Sequence, residues 1–147
     1  MKVRFAEERD IDEMVEMARD NAKTRPNLTF NEVRTRASIV EYLMTAQPTM
    51  WVAEKDGELY GLLVASFHFY SYFDGLFTTQ DVLYVKPEKR GTRAATLLMR
   101  ELITWSNMLG AKEIQGGNDN EYNSDRTAKF LSHFGFRKVG HYMRLEL

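Results

Sequence analysis

Residues 81–110 read DVLYVKPEKRGTRAATLLMRELITWSNMLG, and the rest of the chain is organised around them. Asp81 to Val85 is short, apolar and rich in β-formers, as a buried strand should be. Pro87 stops that strand, because proline has no N–H for the ladder. Lys89-Arg90-Gly91-Thr92-Arg93 is a basic turn. From Ala94 onward the spacing becomes helical, with Ala94, Leu98, Leu102, Trp105 and Leu109 on one face. Gly110 falls where a left-handed C-cap is wanted.

A strand that feeds a glycine-bearing turn into a helix has a physical use. The first helical turn has N–H groups without partners, and the helix dipole favours negative charge there. Together they suit a phosphate. Arg90 and Arg93 are placed to add charge-assisted bonds. The plainer alternative is an ordinary strand-to-helix turn with solvated cations.

Working outward from this unit, Lys2 to Ala6 reads as a first strand. Asp10 looks like a helix cap, with Glu13 three residues on and Ile11, Met14, Val15 and Ala18 as the buried face. That helix fades by Lys23 to Pro26, and Thr24 to Phe30 is a loop. Asn31 is placed to cap a second helix, with Val33, Ala37, Val40 and Met44 as its expected buried face and Gln47-Pro48 as its stop. Met50 to Glu54 and Leu59 to Phe69 form a hairpin around Asp56-Gly57. Leu76 to Val85 is the fourth strand and Lys112 to Gln115 the fifth. Residues 116–120 are a loop. Asn123 or Ser124 caps a helix that faces inward through Ala128, Leu131 and Phe134 and ends at Gly135. Phe136 to Val139 and Tyr142 to Leu147 are expected as the last two strands. This order predicts a mixed sheet with helices on both faces.

The order of residues around the turn carries more than its charge. Val85-Lys86-Pro87-Glu88-Lys89-Arg90-Gly91-Thr92-Arg93-Ala94-Ala95 resembles the acyl-CoA signature of the GNAT superfamily of N-acetyltransferases. There a valine-ending strand leads to a proline, then Arg/Gln-x-x-Gly-x-Gly/Ala, then a Leu-rich helix. Phe130-Leu131-Ser132-His133-Phe134-Gly135-Phe136, with Asn123 ahead of it, is similar to that family's second motif, which commonly ends in Gly-Phe. The resemblance implies an α/β (α+β) fold: a mixed, mostly antiparallel central sheet of six to seven strands flanked by about four helices. It implies one N-acetyltransferase domain over 1–147, with acetyl-CoA as co-substrate and no metal.

Site residues follow from the same resemblance. The backbones of Leu83, Tyr84 and Val85 would pair with the pantetheine arm, and an amide of that segment would face the developing oxyanion. The N–H groups of Arg90, Gly91, Thr92, Arg93, Ala94 and Ala95 would hold the diphosphate. Arg93 stands where the family usually has glycine, so its side chain should either crowd that group or point outward and bind a phosphate. Asn123 stands where relatives place an asparagine that contacts CoA or its waters; a helix cap is the plainer reading. Relatives place a carboxylate or His on the fourth strand as base, which points to Asp81. Period-two counting puts Asp81 on the face of Leu83 and Val85. Its plainer reading is a strand-end Asp that caps a turn or pairs with a lysine. Thr79, where some relatives carry the carboxylate, cannot act as base. Many relatives carry a tyrosine acid where this chain has Leu131, so Tyr84, Tyr122 and Ser132 are the substitutes to consider.

The totals bound the partners. With 147 residues, 44% hydrophobic and 28% charged, there is enough chain for one sizeable core. A net charge of −1 gives no general attraction to nucleic acid. No apolar run is long enough to span a bilayer and no signal peptide is apparent, so no membrane partner is expected. With no cysteine the chain has no disulfide framework and no cysteine acyl-enzyme, which fits a cytoplasmic location and direct transfer. His68, His133 and His141 have no metal-ligand spacing. The acceptor would be a small-molecule amine or a protein or peptide amine. Aromatic Phe67 to Phe73 is the candidate acceptor wall or homodimer contact, with Phe67 and Phe69 also readable as core. Thr24 to Phe30 is the second candidate wall. A rival reading is a CoA-binding or interaction module with the same fold and no chemistry.

Overall fold

A computed structural model describes residues 1–118 and 121–147 of the chain. Its contacts group into two compact units, Met1–Gly116 and Gly117–Leu147. In the first unit, β1 (Lys2–Phe5), β2 (Thr49–Lys55), β3 (Glu58–Phe69), β4 (Leu76–Val85) and β5 (Ile114–Gln115) form one sheet in that order. Neighbours from β1 to β4 run antiparallel, and β5 joins β4 in parallel. Helices α1 (Ile11–Ala22), α2 (Glu32–Thr45) and α3 (Ala94–Met108) complete this unit. No described helix is long and apolar enough to cross a membrane.

The α3 side of the sheet is closed. Ala94, Leu98, Met99 and Leu102 are fully buried, as the helical spacing requires. Trp105 meets the Trp51 ring edge-on at 5.2 Å, and Phe5 stacks on Trp51. Leu109 lies beyond this row and is exposed. The helix ends in a Schellman motif, with Ala111 N–H on Ser106 C=O and Gly110 N–H on Asn107 C=O. One buried polar pair has no signature in the sequence: Thr78 Oγ1 and Ser106 Oγ lie 2.7 Å apart, satisfying each other in the core.

The other side carries α1 and α2, and two expectations change there. Asp10 does not cap α1 through its side chain. Instead it accepts from the Glu7 N–H at 2.8 Å and from both terminal nitrogens of Arg4, and Arg4 also binds Glu54. Asn31 does cap α2, accepting from Arg34 N–H. The face of α2 is rotated from the expected one, however. Val33 and Met44 are about four-fifths exposed, and Ala37 and Val40 are also exposed. Ile39 is buried, and Thr35, Ser38 and Tyr42 face a cavity beside it. A helix lining a hollow can turn small and polar residues inward, which an apolar-stripe rule does not anticipate.

The described residues form five strands, against six to seven expected. Residues 136–147, read as the last two strands, form no ladder. Their apolar residues Val139, Tyr142, Met143, Leu145 and Leu147 are exposed. The sequence meets the local requirement for a strand, but a strand also needs a neighbour for its N–H and C=O groups. The second unit contains α4 (Ser124–Ser132). Asn123 precedes it in the left-handed region and makes no side-chain cap. Gly135 N–H bonds to Ser132 C=O and Phe136 N–H to Leu131 C=O, so the helix ends at Gly135 as expected. Asp119 and Asn120 of the expected 116–120 loop lie outside the described residues.

Candidate active site

Strand β4 has one edge that is only half used. On one side it pairs with β3 along its whole length. On the other, β5 covers only Thr78 and Thr79. From Gln80 onward no strand pairs with that edge among the described residues. The direction of each backbone group follows from the ladder. Lys86 N–H bonds to Tyr60 C=O, so in an antiparallel pair residues 84 and 82 also bond toward β3. The groups of Leu83 and Val85 therefore point to the open edge, while the backbone of Tyr84 is turned inward. Of the three residues expected to offer backbone to an arm, two do so. Arg90 Nε occupies Val85 C=O at 3.2 Å, leaving Val85 N–H and both groups of Leu83. Gln80 Oε1 is buried without a partner at the point where β5 leaves, an orphaned acceptor beside that edge.

Gly61 lets β4 run this close to β3. A Cβ there would stand 2.4 Å from Tyr84 C=O and 3.1 Å from Val85 Cα. Any larger residue would push the site strand outward.

The strand leads into a short 3-10 turn, Pro87–Lys89, and then α3. Gly91 sits at φ +86, a conformation that side chains disfavour. Thr92 rather than Arg93 caps the helix, its Oγ1 accepting from Ala94 N–H at 3.3 Å and donating to Lys89 C=O. The N–H groups of Gly91, Arg93, Ala95 and Thr96 have no acceptor among the described residues. Arg93 has ordinary helical torsions (φ −79), so it needs no glycine, and its side chain is exposed. Lys86 is paired with Glu13 and Lys89 with Glu58. Arg90 and Arg93 thus remain as the unpaired cations of the basic turn among the described residues. Open N–H groups, two guanidinium groups without an ion-pair partner among the described residues and an open strand edge in sequence fit a diphosphate with an amide-bearing arm.

Asp81 is where the sequence reading needs correcting. The ladder shifts between Val64 and Ala65: Val64 faces Val82, and Ala65 faces Gln80. Asp81 is the extra residue of a β-bulge, which breaks the period of two. It therefore does not share a face with Leu83. It turns to the face of Ser66, accepting from Ser66 Oγ and, at 2.7 Å, from Thr79 Oγ1. Because Thr79 spends its one proton on Asp81, its 3.3 Å contact with His68 Nε2 is filled by the imidazole N–H as donor. Asp81 is exposed and held by hydroxyls; it pairs with no lysine among the described residues. Ser66 and His68 were not singled out for this site. Alternation along β3 puts both on the side of Leu62 and Val64, but the bulge that brings Asp81 there leaves no mark in the sequence.

Leu62 and Val64 belong to a cavity of about 400 Å3 between α1, α2 and the sheet. Met14, Met17, Met50, Val82 and Tyr84 line it too. Phe30, at the end of the loop expected as an acceptor wall, also lines it, under the Arg19 guanidinium at 4.9 Å. The aromatic segment 67–73 does not: Phe69, Tyr72 and Phe73 are mostly exposed, and Tyr70 packs on Phe77. The core reading of Phe69 fails with it.

Tyr84 closes one end of the cavity, and its hydroxyl donates to Asp20. Burial and the Asp20 carboxylate push the phenol well above its ordinary range, and the phenol bond holds the carboxylate below its own. This proton is tightly held, so Tyr84 is a poor acid for a leaving thiolate. Tyr122, Ser132, Leu131 and Asn123 belong to the second unit. Among the described residues no three His, Asp or Glu side chains stand together as a metal site.

A sequence profile described as acetyltransferase (GNAT) domain matches residues 46–138. No curated protein sequence matches the chain. Solved structures with the same fold include a Bacillus halodurans C-125 protein called a transcriptional regulator, with TM-score 0.85, 21% identity and 99% of both chains covered. An aminoglycoside 6'-N-acetyltransferase from Acinetobacter haemolyticus superposes with TM-score 0.76 at 18% identity, covering 100% of this chain and 98% of that one. A ribosomal-protein-alanine N-acetyltransferase from Brucella melitensis biovar Abortus 2308 gives TM-score 0.77 at 14% identity, with both chains covered in full (100%).

Proposed function

The chain belongs to the GNAT acetyltransferase family, and on that premise we propose that it moves an acetyl group from acetyl-CoA to a primary amine by direct attack in a ternary complex. We take residues 1–147 as one catalytic domain. The observation that carries the reading is the continuity of the open β4 edge with the unpaired N–H groups at the start of α3. Leu83 and Val85 would hold the arm, and the N–H groups of Gly91, Arg93 and Ala95 with the Arg90 and Arg93 side chains would hold the diphosphate.

Acetyl-CoA supplies the acetyl group as a thioester, whose C–S bond breaks as the C–N bond to the amine forms, giving an amide and a thiolate. The chain's own residues have two tasks. The first is proton removal: an alkylammonium has a pKa of about 10.4 and must lose a proton before it attacks. Asp81 is the candidate base, directly or through one water. The Ser66 and Thr79 hydroxyls fix its carboxylate and leave lone pairs free. The second is charge stabilisation. An amide N–H of Leu83 or Val85 is the donor for the negative charge that develops at the attacked carbonyl. The thiolate, with a thiol pKa near 8.5, takes its proton from water.

Thermal melts with and without acetyl-CoA test the binding half of this reading, which should give a clear upward shift at millimolar ligand. Thiol release across a panel of amines tests the chemistry. Binding without turnover would leave the non-catalytic module as the better description. Asp81→Asn should cut turnover by ~10²-fold or more, in the range for general bases, with the cofactor melt shift unchanged.

A further inference from the structure

The walls of the cavity under α2 restrict which amine can enter it. Its volume of about 400 Å3 is near the lower end for ligand pockets. Its surface is mostly apolar, and three of its walls are methionines, Met14, Met17 and Met50, which repack around different shapes. Among the described residues its lining has one formal charge, Arg34, and no carboxylate. Arg34 is exposed, has no ion-pair partner among the described residues, and stands in the first turn of α2, where the helix dipole also favours an anion. The polar groups of Thr35 and Ser38 share its stretch of wall. At the sheet wall, Val82 and Tyr84 point into the cavity, the backbone groups of Leu83 between them face the open edge, and Asp81 directly precedes Val82.

We propose that this cavity is the acceptor pocket, and that it takes a small apolar amine carrying a carboxylate, the chemistry of a free amino acid with an aliphatic or aromatic side chain. The assignment rests on the acyl-transfer reading and adds the class of acceptor to it. The side chain fills the methionine-lined hollow and the carboxylate meets Arg34. A polycation is disfavoured by the same walls. Its ammonium groups would lose water to a surface with no carboxylate and one repelling guanidinium. An N-terminal peptide residue would present an uncharged carbonyl to Arg34 and so lose the charge-assisted bond.

Calorimetric titration of the full chain tests this, with CoA present if the melts show that it binds and without it if they do not. The probes are L-phenylalanine, L-leucine, phenylalaninamide, phenethylamine, spermidine and an aminoglycoside. The two amino acids should bind saturably, and Arg34→Leu should weaken both at least tenfold while changing phenethylamine less than twofold. Ser38→Trp, which fills the hollow from α2, should weaken phenylalanine and phenethylamine alike at least tenfold, with its melt confirming the fold. No saturable binding of either amino acid, tighter binding of a polycation, or an Arg34→Leu protein that binds phenylalanine normally would overturn the proposal. So would phenylalaninamide binding as tightly as phenylalanine. Because the readout is acceptor binding, these outcomes are distinct from a failure of acetyl transfer, which appears as absent thiol release.

Discussion

The two faces of the sheet are built on opposite principles. Against α3, large side chains interlock: Trp51, Leu63, Leu98, Met99 and Leu102 are all at most 1% exposed. Against α1 and α2, Met50, Leu62 and Tyr84 are buried and Val64 and Val82 half-buried, and all five border a hollow. Close packing makes the first face sensitive to volume. The second face forgoes some packing to keep space. The asymmetry is what places the proposed acceptor pocket on the α1 and α2 side.

The sharpest way to break this comparison is to truncate the closed face. Leu98→Ala should cost ~2–5 kcal/mol, the range for cavity-creating core changes. For a chain of this size each kcal/mol should move the melting midpoint by about 2–4 °C, readable by circular dichroism. A loss below about 1 kcal/mol would mean that the α3 face is no tighter than the other.

A smaller effect is expected from the polar pair inside that same face. Ser106→Ala leaves the Thr78 hydroxyl buried without its partner and should cost ~1–3 kcal/mol, whereas Thr78→Val with Ser106→Ala should recover part of the loss. Urea melts of the single and double variants give the coupling. A double-variant loss equal to the sum of the two single losses would show that the hydroxyls do not depend on each other.

The hollow face has its own support, and acid should reveal it. Burial raises the Asp10 carboxyl, but the Arg4 hydrogen bonds and the Glu7 N–H outweigh this and leave it below the ordinary range. A group whose folded pKa is depressed contributes stability above its unfolded value and loses it as pH falls through the folded one. The Asp10 contribution should therefore be complete above about pH 5 and be lost progressively as the pH falls below the ordinary Asp value of ~3.9. Asp10→Asn should flatten that limb of a stability–pH curve measured by urea melts. An unchanged limb would remove Asp10 from the account.

Much of the fold was legible because its signals are local. The 81–110 unit, the Asp56-Gly57 hairpin, the Asn31 cap and the glycine stops at Gly110 and Gly135 each depend on residues a few positions apart. What was missed depends on distant partners. Residues 136–147 carry a strand-like pattern, but no residue among them names the edge that would pair with it. The bulge at Asp81 is set by the register of β3 against β4, so counting along β4 alone put the carboxylate on the wrong face. The turn and strand edge proposed to hold the cofactor were legible for the same reason as the fold, since they are contiguous in sequence. The cavity proposed for the acceptor is assembled from α1, α2, β2, β3 and β4, and no single stretch announces it.

The smallest expected effect is also the one that most directly tests the rotation of α2. By spacing alone, Val33, Ala37, Val40 and Met44 are the buried stripe, and charges placed there would be ruinous. In the fold Val33 and Met44 are about 80% exposed, so Val33→Lys and Met44→Lys should each change stability by no more than about 0.5 kcal/mol. Ile39→Lys, one position from the stripe, would bury an unpaired ammonium and should prevent folding or lower the midpoint drastically. The contrast is decisive because the three changes share one helix and one chemistry and differ only in which way the helix is turned. If Met44→Lys proved as damaging as Ile39→Lys, α2 would present its apolar stripe to the sheet. The polar residues Thr35 and Ser38 would then leave the wall, and the hollow that separates the two faces would close.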